Sequence, residues 1–351
     1  MAYFITLWKN KVFTVASTNQ HTMTMKVLVT GADGLLGSNL VRELLHRSYE
    51  VNVLILPGSE AVSLRGLPIE IYQGNILRPA DIIPAIRGCR AVIHVAASTS
   101  VWPSRSAAVR KVNVQGVRNM VDAAMGENIE RFVHIGSASS FGFGTKNAPG
   151  DETTPYAGHK YGLDYIDSKY EGQQLVLKYV RENNFPALVI NPTFMFGAYD
   201  HQPGSGKMIL AVYRGQMPVV AGGGKNFVYV KDVAVAAANA LTMGRVGECY
   251  VAGGVNLSYG EISGLIAAEL GVSAPRLKAP DLLLKSFGFL SKWTGKVLKR
   301  EPKISYAMAR VACHGHYFSA QKAIEELAMP QTDIRIAIRE AYDWFRESGY
   351  C

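Results

Sequence analysis

Lys26-Val-Leu-Val-Thr-Gly-Ala-Asp-Gly-Leu-Leu-Gly-Ser-Asn-Leu40 decides the fold. Val27 to Val29 is a short apolar run, the mark of a buried parallel strand. Gly31, Gly34 and Gly37 follow at once. Leu35, Leu36, Leu40, Val41, Leu44 and Leu45 then recur at helical spacing to about His46. A strand, a glycine turn and a helix in direct succession form the context that gives a glycine triplet meaning. The first glycine permits the tight turn. The second lets backbone approach a pyrophosphate at the positive end of the helix. The third lets helix pack closely on strand.

Working outward, the chain of 351 residues is long enough for one large domain or two smaller ones around a sizeable core. It is 48% hydrophobic and 19% charged, which is ordinary for a globular protein. No apolar run reaches about 18 residues, so no spanning helix is expected. Cys89, Cys249, Cys313 and Cys351 are scattered without a CxxC pair, which fits a reducing cytoplasm and speaks against a disulfide framework or a zinc site. No metal site is expected, and Cys313-His314-Gly-His316 reads as ordinary core or surface residues.

The formal charge is +9, concentrated in residues 276–310, where nine Lys and Arg face Asp281 and Glu301. No nucleic-acid module accompanies this charge, so it reads as a solvated face, with no nucleic-acid partner expected. Leu283, Phe287, Leu290 and Val297 share a helical face among Lys285, Lys292, Lys296 and Lys299. The reading there is core or lid packing, with a weak membrane-surface contact through 282–299 as the rival. Residues 1–25 precede the first fold signal and read as a dispensable leader.

Further strands are expected at Val51–Leu56, Pro68–Tyr72, Ala91–Val95, Arg131–Ile135, Leu188–Ile190, Phe227–Val230 and Glu248–Val251, with helices between them. This alternation implies an α/β, doubly wound parallel sheet, the Rossmann fold, with a smaller C-terminal substrate domain. The expected division is 26–191 and 226–253 for dinucleotide binding, and 192–225 and 254–351 for substrate. The end of the second strand carries no acid to hold a ribose 2′-OH.

Two Tyr-x-x-x-Lys matches occur, Tyr156 to Lys160 and Tyr165-Ile-Asp-Ser-Lys169. That spacing places both side chains on one helical face. A tyrosine near pKa 10 is a poor acid or base at neutral pH, and a neighbouring ammonium would lower it. Tyr156 follows Pro155 and is trailed by Gly158 and Gly162, so it reads as loop. Tyr165 opens a helix continuing through Leu175, Val176, Tyr179 and Val180. Ser137, Ser139 and Ser140 follow the fifth strand, where such folds place chemistry.

The TGxxGxxG spacing and the YxxSK segment resemble the short-chain dehydrogenase/reductase superfamily, extended branch. Residues 26–255 look like the NAD-dependent epimerase/dehydratase group. Within it, Asn191-Pro-Thr-Phe-Met-Phe-Gly197 and the tail Phe318 to Leu327 resemble dihydroflavonol-reductase-like and 3β-hydroxysteroid-dehydrogenase-like proteins. The resemblance implies Tyr165 as acid/base, Lys169 as its partner and ribose holder, and Ser137 as the hydroxyl orienting the substrate oxygen, with Ser139 next in line. It implies a cofactor site of Gly31, Gly34, Leu35, Leu36, Gly37, Asn75, Ile76, Ala96, Ala97, Asn113, Tyr165, Lys169 and Pro192. Asn113 would support the lysine through a backbone or water contact. Many relatives carry Arg where Leu56 stands, Glu60 lies too far along, and Arg65 is the candidate substitute. NADP is therefore the expected cofactor, with NAD open. The implied activity is hydride transfer between nicotinamide and a ketone or secondary alcohol of a lipophilic or aromatic small molecule. A nucleotide-sugar epimerase or dehydratase with tightly bound NAD is the alternative, and a cofactor-sensing binding module the third reading. A homodimer stays open.

Overall fold

The computed structural model describes residues 25–275, 277–284, 286, 288–289 and 305–351. In chain order its elements are β1 Lys26–Thr30, α1 Leu35–His46, β2 Glu50–Ile55, β3 Glu70–Gln73, α2 Pro79–Ile86, β4 Ala91–His94, α3 Ala107–Arg110, α4 Val117–Gly126, β5 Arg131–Ile135, α5 Asp164–Asn183, β6 Ala187–Pro192, β7 Phe194–Phe196, α6 Lys207–Tyr213, β8 Val219–Val220, β9 Gly224–Tyr229, α7 Val230–Asn239, β10 Cys249–Ala252, β11 Val255–Ser258, α8 Tyr259–Leu270, β12 Leu277–Lys278, α9 Tyr306–Ala312, β13 Gly315–His316, α10 Gln321–Leu327 and α11 Ile334–Glu347. A π-helical stretch, Lys111–Gly116, joins α3 to α4.

Seven strands form one parallel sheet in the order β10-β6-β5-β4-β1-β2-β3. The order reverses between β1 and β4, which is the switch point where such sheets bind ligands beyond their carboxyl ends. Strands read as continuous apolar runs because both faces are covered. Val27, Val29, Val53, Ile93, Val133 and Ile190 face α1 and α7. Leu28, Leu54, Val92, Phe132 and Val189 face the α2, α4 and α5 side. The fold is the expected Rossmann fold.

A second sheet of four strands is centred on β9, which pairs with β7, β11 and β13. This differs from the sequence division at residue 226, which counted Phe227–Val230 with the nucleotide-binding strands. Thr193 and Phe194 lead straight from β6 into β7, so β9 meets the second sheet there, and α7 and β10 return to the main one. The tail differs as well. Helix α10 packs on β10 and α7. Lys322 bonds Glu248 at 2.6 Å, and Asn239 Nδ2 donates to Leu327 O at 2.6 Å. Part of the 254–351 segment thus belongs to the nucleotide-binding core. Residues 1–24 and much of 282–299 lie outside the described residues; within the latter, Leu282, Leu283 and Phe289 are exposed. No helix among the described residues is long and apolar enough to cross a membrane.

Candidate active site

The glycine loop shows three different constraints. Gly31 has φ +63°, and a Cβ there would stand 2.8 Å from the backbone of Ala96. A Cβ on Gly37 would fall 2.2 Å from Gly31 O, so α1 and the turn touch through backbone. Gly34 would meet only Gly31 O, at 3.6 Å, and is open on its outer side. It also N-caps α1 without a side-chain cap, and the first turn holds no acid. The positive helix end therefore stays uncompensated, as an anionic pyrophosphate requires. Leu36 is buried and Leu35 half-buried on α1. Ala96 and Ala97 are half-buried past β4, where Ala96 N donates to Thr30 Oγ1 at 3.1 Å. These residues fit a dinucleotide.

Its distal end is less conventional. Leu56 is 60% exposed, and Arg65 stands 4.0 Å from Glu60 with both side chains in solvent. Asp33, unnoticed in the sequence, accepts the Ser59 hydroxyl at 2.6 Å beside the β2 tip. Asn75 uses Oδ1 to accept Leu77 N–H at 2.9 Å, closing a local turn. Ile76 is buried in the α2/α4 core and lies where a Cβ on Gly116 would meet it at 2.6 Å.

At the other end, Tyr165, Lys169 and Gln173 succeed one another every four residues along α5 and share a face. Lys169 Nζ donates to Ile135 O at 2.6 Å, and burial lowers its pKa to about 8. Burial also raises the Tyr165 phenol above its ordinary value, opposed by a hydrogen bond with Ser137. Ser137 supplies the lowering influence on the phenol, and Lys169 bonds the Ile135 carbonyl. Ser137 Oγ also lies 2.8 Å from Ser139 Oγ and accepts Ser139 N–H at 3.3 Å. Ser140 is fully buried.

The second match separates cleanly. Tyr156 Oη donates to Asp167 Oδ1 at 2.6 Å, and its ring stacks on Tyr170 at 4.2 Å. Lys160 sits on a separate 3-10 turn, Gly158–Tyr161, with its ammonium 4.6 Å from the Phe143 ring centre.

Other residues support this site, some expected from the sequence and some not. Asn113 lies in the π-helical stretch and brackets Ser98, accepting from its N–H at 2.8 Å and donating to its carbonyl at 3.0 Å. Its amide also donates to Ser168 Oγ at 3.0 Å, so it supports the neighbour of Lys169. A Cβ on Gly172 would strike Asn113 O at 2.5 Å, so α5 and the π turn meet backbone to backbone. Asn191 Nδ2 donates to Ser137 O at 3.0 Å and to Gln173 Oε1 at 2.7 Å, tying the serine loop to α5. Gln173 could have been found from its spacing after Lys169. Pro192 is buried at the end of β6, directly after Asn191. His94 and His134 are buried lateral partners on β4 and β5. Burial first, then the Lys169 charge, lowers both, so they are neutral. Single histidines in apolar strands read as core, which hides their proximity to the lysine.

Tyr165 packs against a buried cluster of Tyr161, Leu163, Ile166, Ala307 and Val311, which Val101, Phe143, Tyr156 and Met308 also border. His316 lies 4.1 Å from Phe143, ring to ring, and its Nε2 is 3.4 Å from Tyr161 Oη. His314 Nδ1 lies 2.9 Å from Arg310 O. No group of three or more metal-ligating side chains gathers among the described residues.

Comparison with known proteins gives the family. The model of the NAD dependent epimerase/dehydratase family matches residues 27–253. A putative dihydroflavonol 4-reductase from Synechocystis sp. (strain ATCC 27184 / PCC 6803 / Kazusa) is 31% identical, covering 92% of this chain and 95% of its own. Sterol demethylase protein B from Methylococcus capsulatus (strain ATCC 33009 / NCIMB 11132 / Bath) is 30% identical, covering 93% and 99%. The crystal structure of gox2253 superposes with a TM-score of 0.81 at 33% identity, covering 92% and 98%.

Proposed function

The chain belongs to the NAD dependent epimerase/dehydratase family, of the extended short-chain dehydrogenases/reductases, and on that premise we propose that it is an NADP-dependent oxidoreductase acting on a ketone or secondary alcohol of a lipophilic or aromatic small molecule. The observation that carries this reading is the Tyr165 phenol hydrogen-bonded to Ser137, one turn from Lys169. A bound nicotinamide supplies or accepts the hydride. Ser137 holds the substrate oxygen. Tyr165 gives that oxygen a proton in reduction and takes one in oxidation. The phenol is protonated at neutral pH, as a proton donor in reduction must be, and the Ser137 hydrogen bond opposes the burial that weakens it as an acid. Lys169 holds its ammonium between the strand end and the ribose side. The aromatic wall around Tyr165 excludes water and matches a lipophilic substrate.

NADP over NAD rests on the absence of an acid at the C-terminal end of β2. The Asp33 carboxylate on Ser59 favours the second reading, NAD, because it offers a ribose hydroxyl an acceptor and would repel a 2′-phosphate. Direct titration with both reduced cofactors decides between them.

A carbonyl panel with NADPH and NADH tests the activity. Tyr165→Phe is expected to cut turnover by about 100-fold or more while still binding cofactor. Unchanged turnover in that variant would sink the assignment. Tightly retained NAD(H) with no net reduction would favour the nucleotide-sugar epimerase or dehydratase.

A further inference from the structure

The three most exposed large apolar side chains among the described residues lie within 277–283. Leu282 is 75% exposed, Leu277 66% and Leu283 64%. Val219, Phe289 and Tyr306 are exposed as well. Single apolar side chains in water are ordinary, whereas a cluster of them marks a contact surface.

Local packing keeps this group together and in water. Strand β12 pairs with β8, which sets Leu277 directly beside Val219. Ala279 N–H donates to Val220 O at 2.8 Å. After Pro280 the chain turns helical, and Leu284 N–H donates to Pro280 O at 3.1 Å. This helical segment lies on α9 through the buried Gly288. A Cβ there would stand 2.9 Å from Ala309 Cβ and 3.1 Å from Tyr306 Cα. Leu284, one turn before Gly288, is half-buried on the same face. Leu282 and Phe289 share the opposite face, with Leu283 at its margin. The Phe289 ring centre lies 6.0 Å from that of Tyr306. The segment thus turns its glycine inward and large apolar side chains outward, the reverse of a helix that serves a core.

Charge selects the partner. Residues 276–310 carry nine Lys and Arg against Asp281 and Glu301, and the whole chain is +9. Lys278 is exposed next to Leu277. A second copy would meet this patch with like charge, and a nucleic acid gives outward leucines no apolar phase. An anionic bilayer offers a negative surface and a hydrocarbon interior together. We propose that Leu277, Leu282, Leu283 and Phe289 dock the protein on an anionic lipid membrane, inserting shallowly while the basic residues of the segment meet the headgroups. Tyr306 opens α9, and Ala307 and Val311 of the same helix belong to the cluster against which Tyr165 packs. The docked face is thereby the outer side of a helix whose inner side borders the candidate active site. Docking does not depend on the oxidoreductase reading.

Sedimentation of the full chain with lipid vesicles tests this. The protein should pellet with phosphatidylcholine vesicles that contain phosphatidylglycerol, less with phosphatidylcholine alone, and less again as salt is raised. The triple variant Leu282→Ser, Leu283→Ser, Phe289→Ser keeps every charge and should lower the partition about tenfold or more. Ile336→Ser removes an exposed apolar side chain from α11 and should leave it unchanged. Melting temperatures equal to the parent's report an intact fold. If the triple variant melts early, Leu282→Ser alone, at the most exposed site, carries the same test with a smaller loss. No sedimentation with phosphatidylglycerol vesicles, or equal sedimentation of parent and intact serine variants, overturns the inference. So does a lipid-free dimer of the parent that the triple variant splits, since a second copy would then cover the patch.

Discussion

Lys169 combines burial with a single carbonyl partner, and this shapes both its chemistry and the stability of the chain. Its folded pKa of about 8 lies below the ordinary lysine value near 10.4. Between those two pH values the unfolded chain binds more protons, so stability rises with pH across that window. Below pH 8 the full cost of burying the charge is present. Lys169→Met is therefore expected to be more stable than the parent at pH 7, by about 1–3 kcal/mol, and to lose that advantage towards pH 10.5. Urea unfolding at the two pH values measures it. A variant less stable at pH 7 would mean that the bond to Ile135 O outweighs desolvation. Tyr165 and Lys169 were legible because spacing on a helix is a local property. The raised phenol was not, because the cluster that buries it includes Ala307 and Val311, which lie far along the chain.

Helix α1 and its loop divide structural from ligand-facing glycine. Gly34→Ala adds a methyl 3.6 Å from Gly31 O, an ordinary contact, into the open side of the turn. Gly37→Ala forces the same methyl to 2.2 Å from that carbonyl. The first variant should melt near the parent temperature yet bind NADP(H) more weakly. The second should lose about 2–4 kcal/mol of stability as helix and strand are pushed apart. Equal melting temperatures for the two would refute the division. All three glycine positions were legible, since the positive φ of Gly31 and the contacts of Gly34 and Gly37 arise within the loop; the close approach of Ala96 to Gly31 was not. The π-helical stretch through Asn113 was not. There the Asn113 carbonyl abuts Gly172 on another helix, a pairing no local pattern announces. Strand β9 was read as a strand but given to the other sheet, because an apolar run does not name its neighbour.

At the scale of the molecule, Asn226 joins the second sheet to the tail. Its amide nitrogen reaches Gly254 O at 2.9 Å and Phe318 O at 3.1 Å, and its oxygen accepts from Thr193 Oγ1 at 2.8 Å and Gly254 N at 2.7 Å. Asn226→Ala strands several buried groups at once and should cost about 3 kcal/mol or more. Protease sensitivity should rise in 305–351 before NADP affinity falls; simultaneous loss of both would show that the two ends are one cooperative unit. The alternation of strands and helices made the Rossmann core legible. The return of α10 to that core was not, because it depends on side-chain bonds between Lys322 and Glu248 and from Asn239 to Leu327.

The dependence of β9 on β13 also sets an order in time. A growing chain has made all seven strands of the main sheet once Ala252 has left the ribosome. The sheet centred on β9 must wait for Gly315–His316, and the amide of Asn226 for Phe318. The nascent protein therefore has every strand of its main sheet long before it can finish the second one.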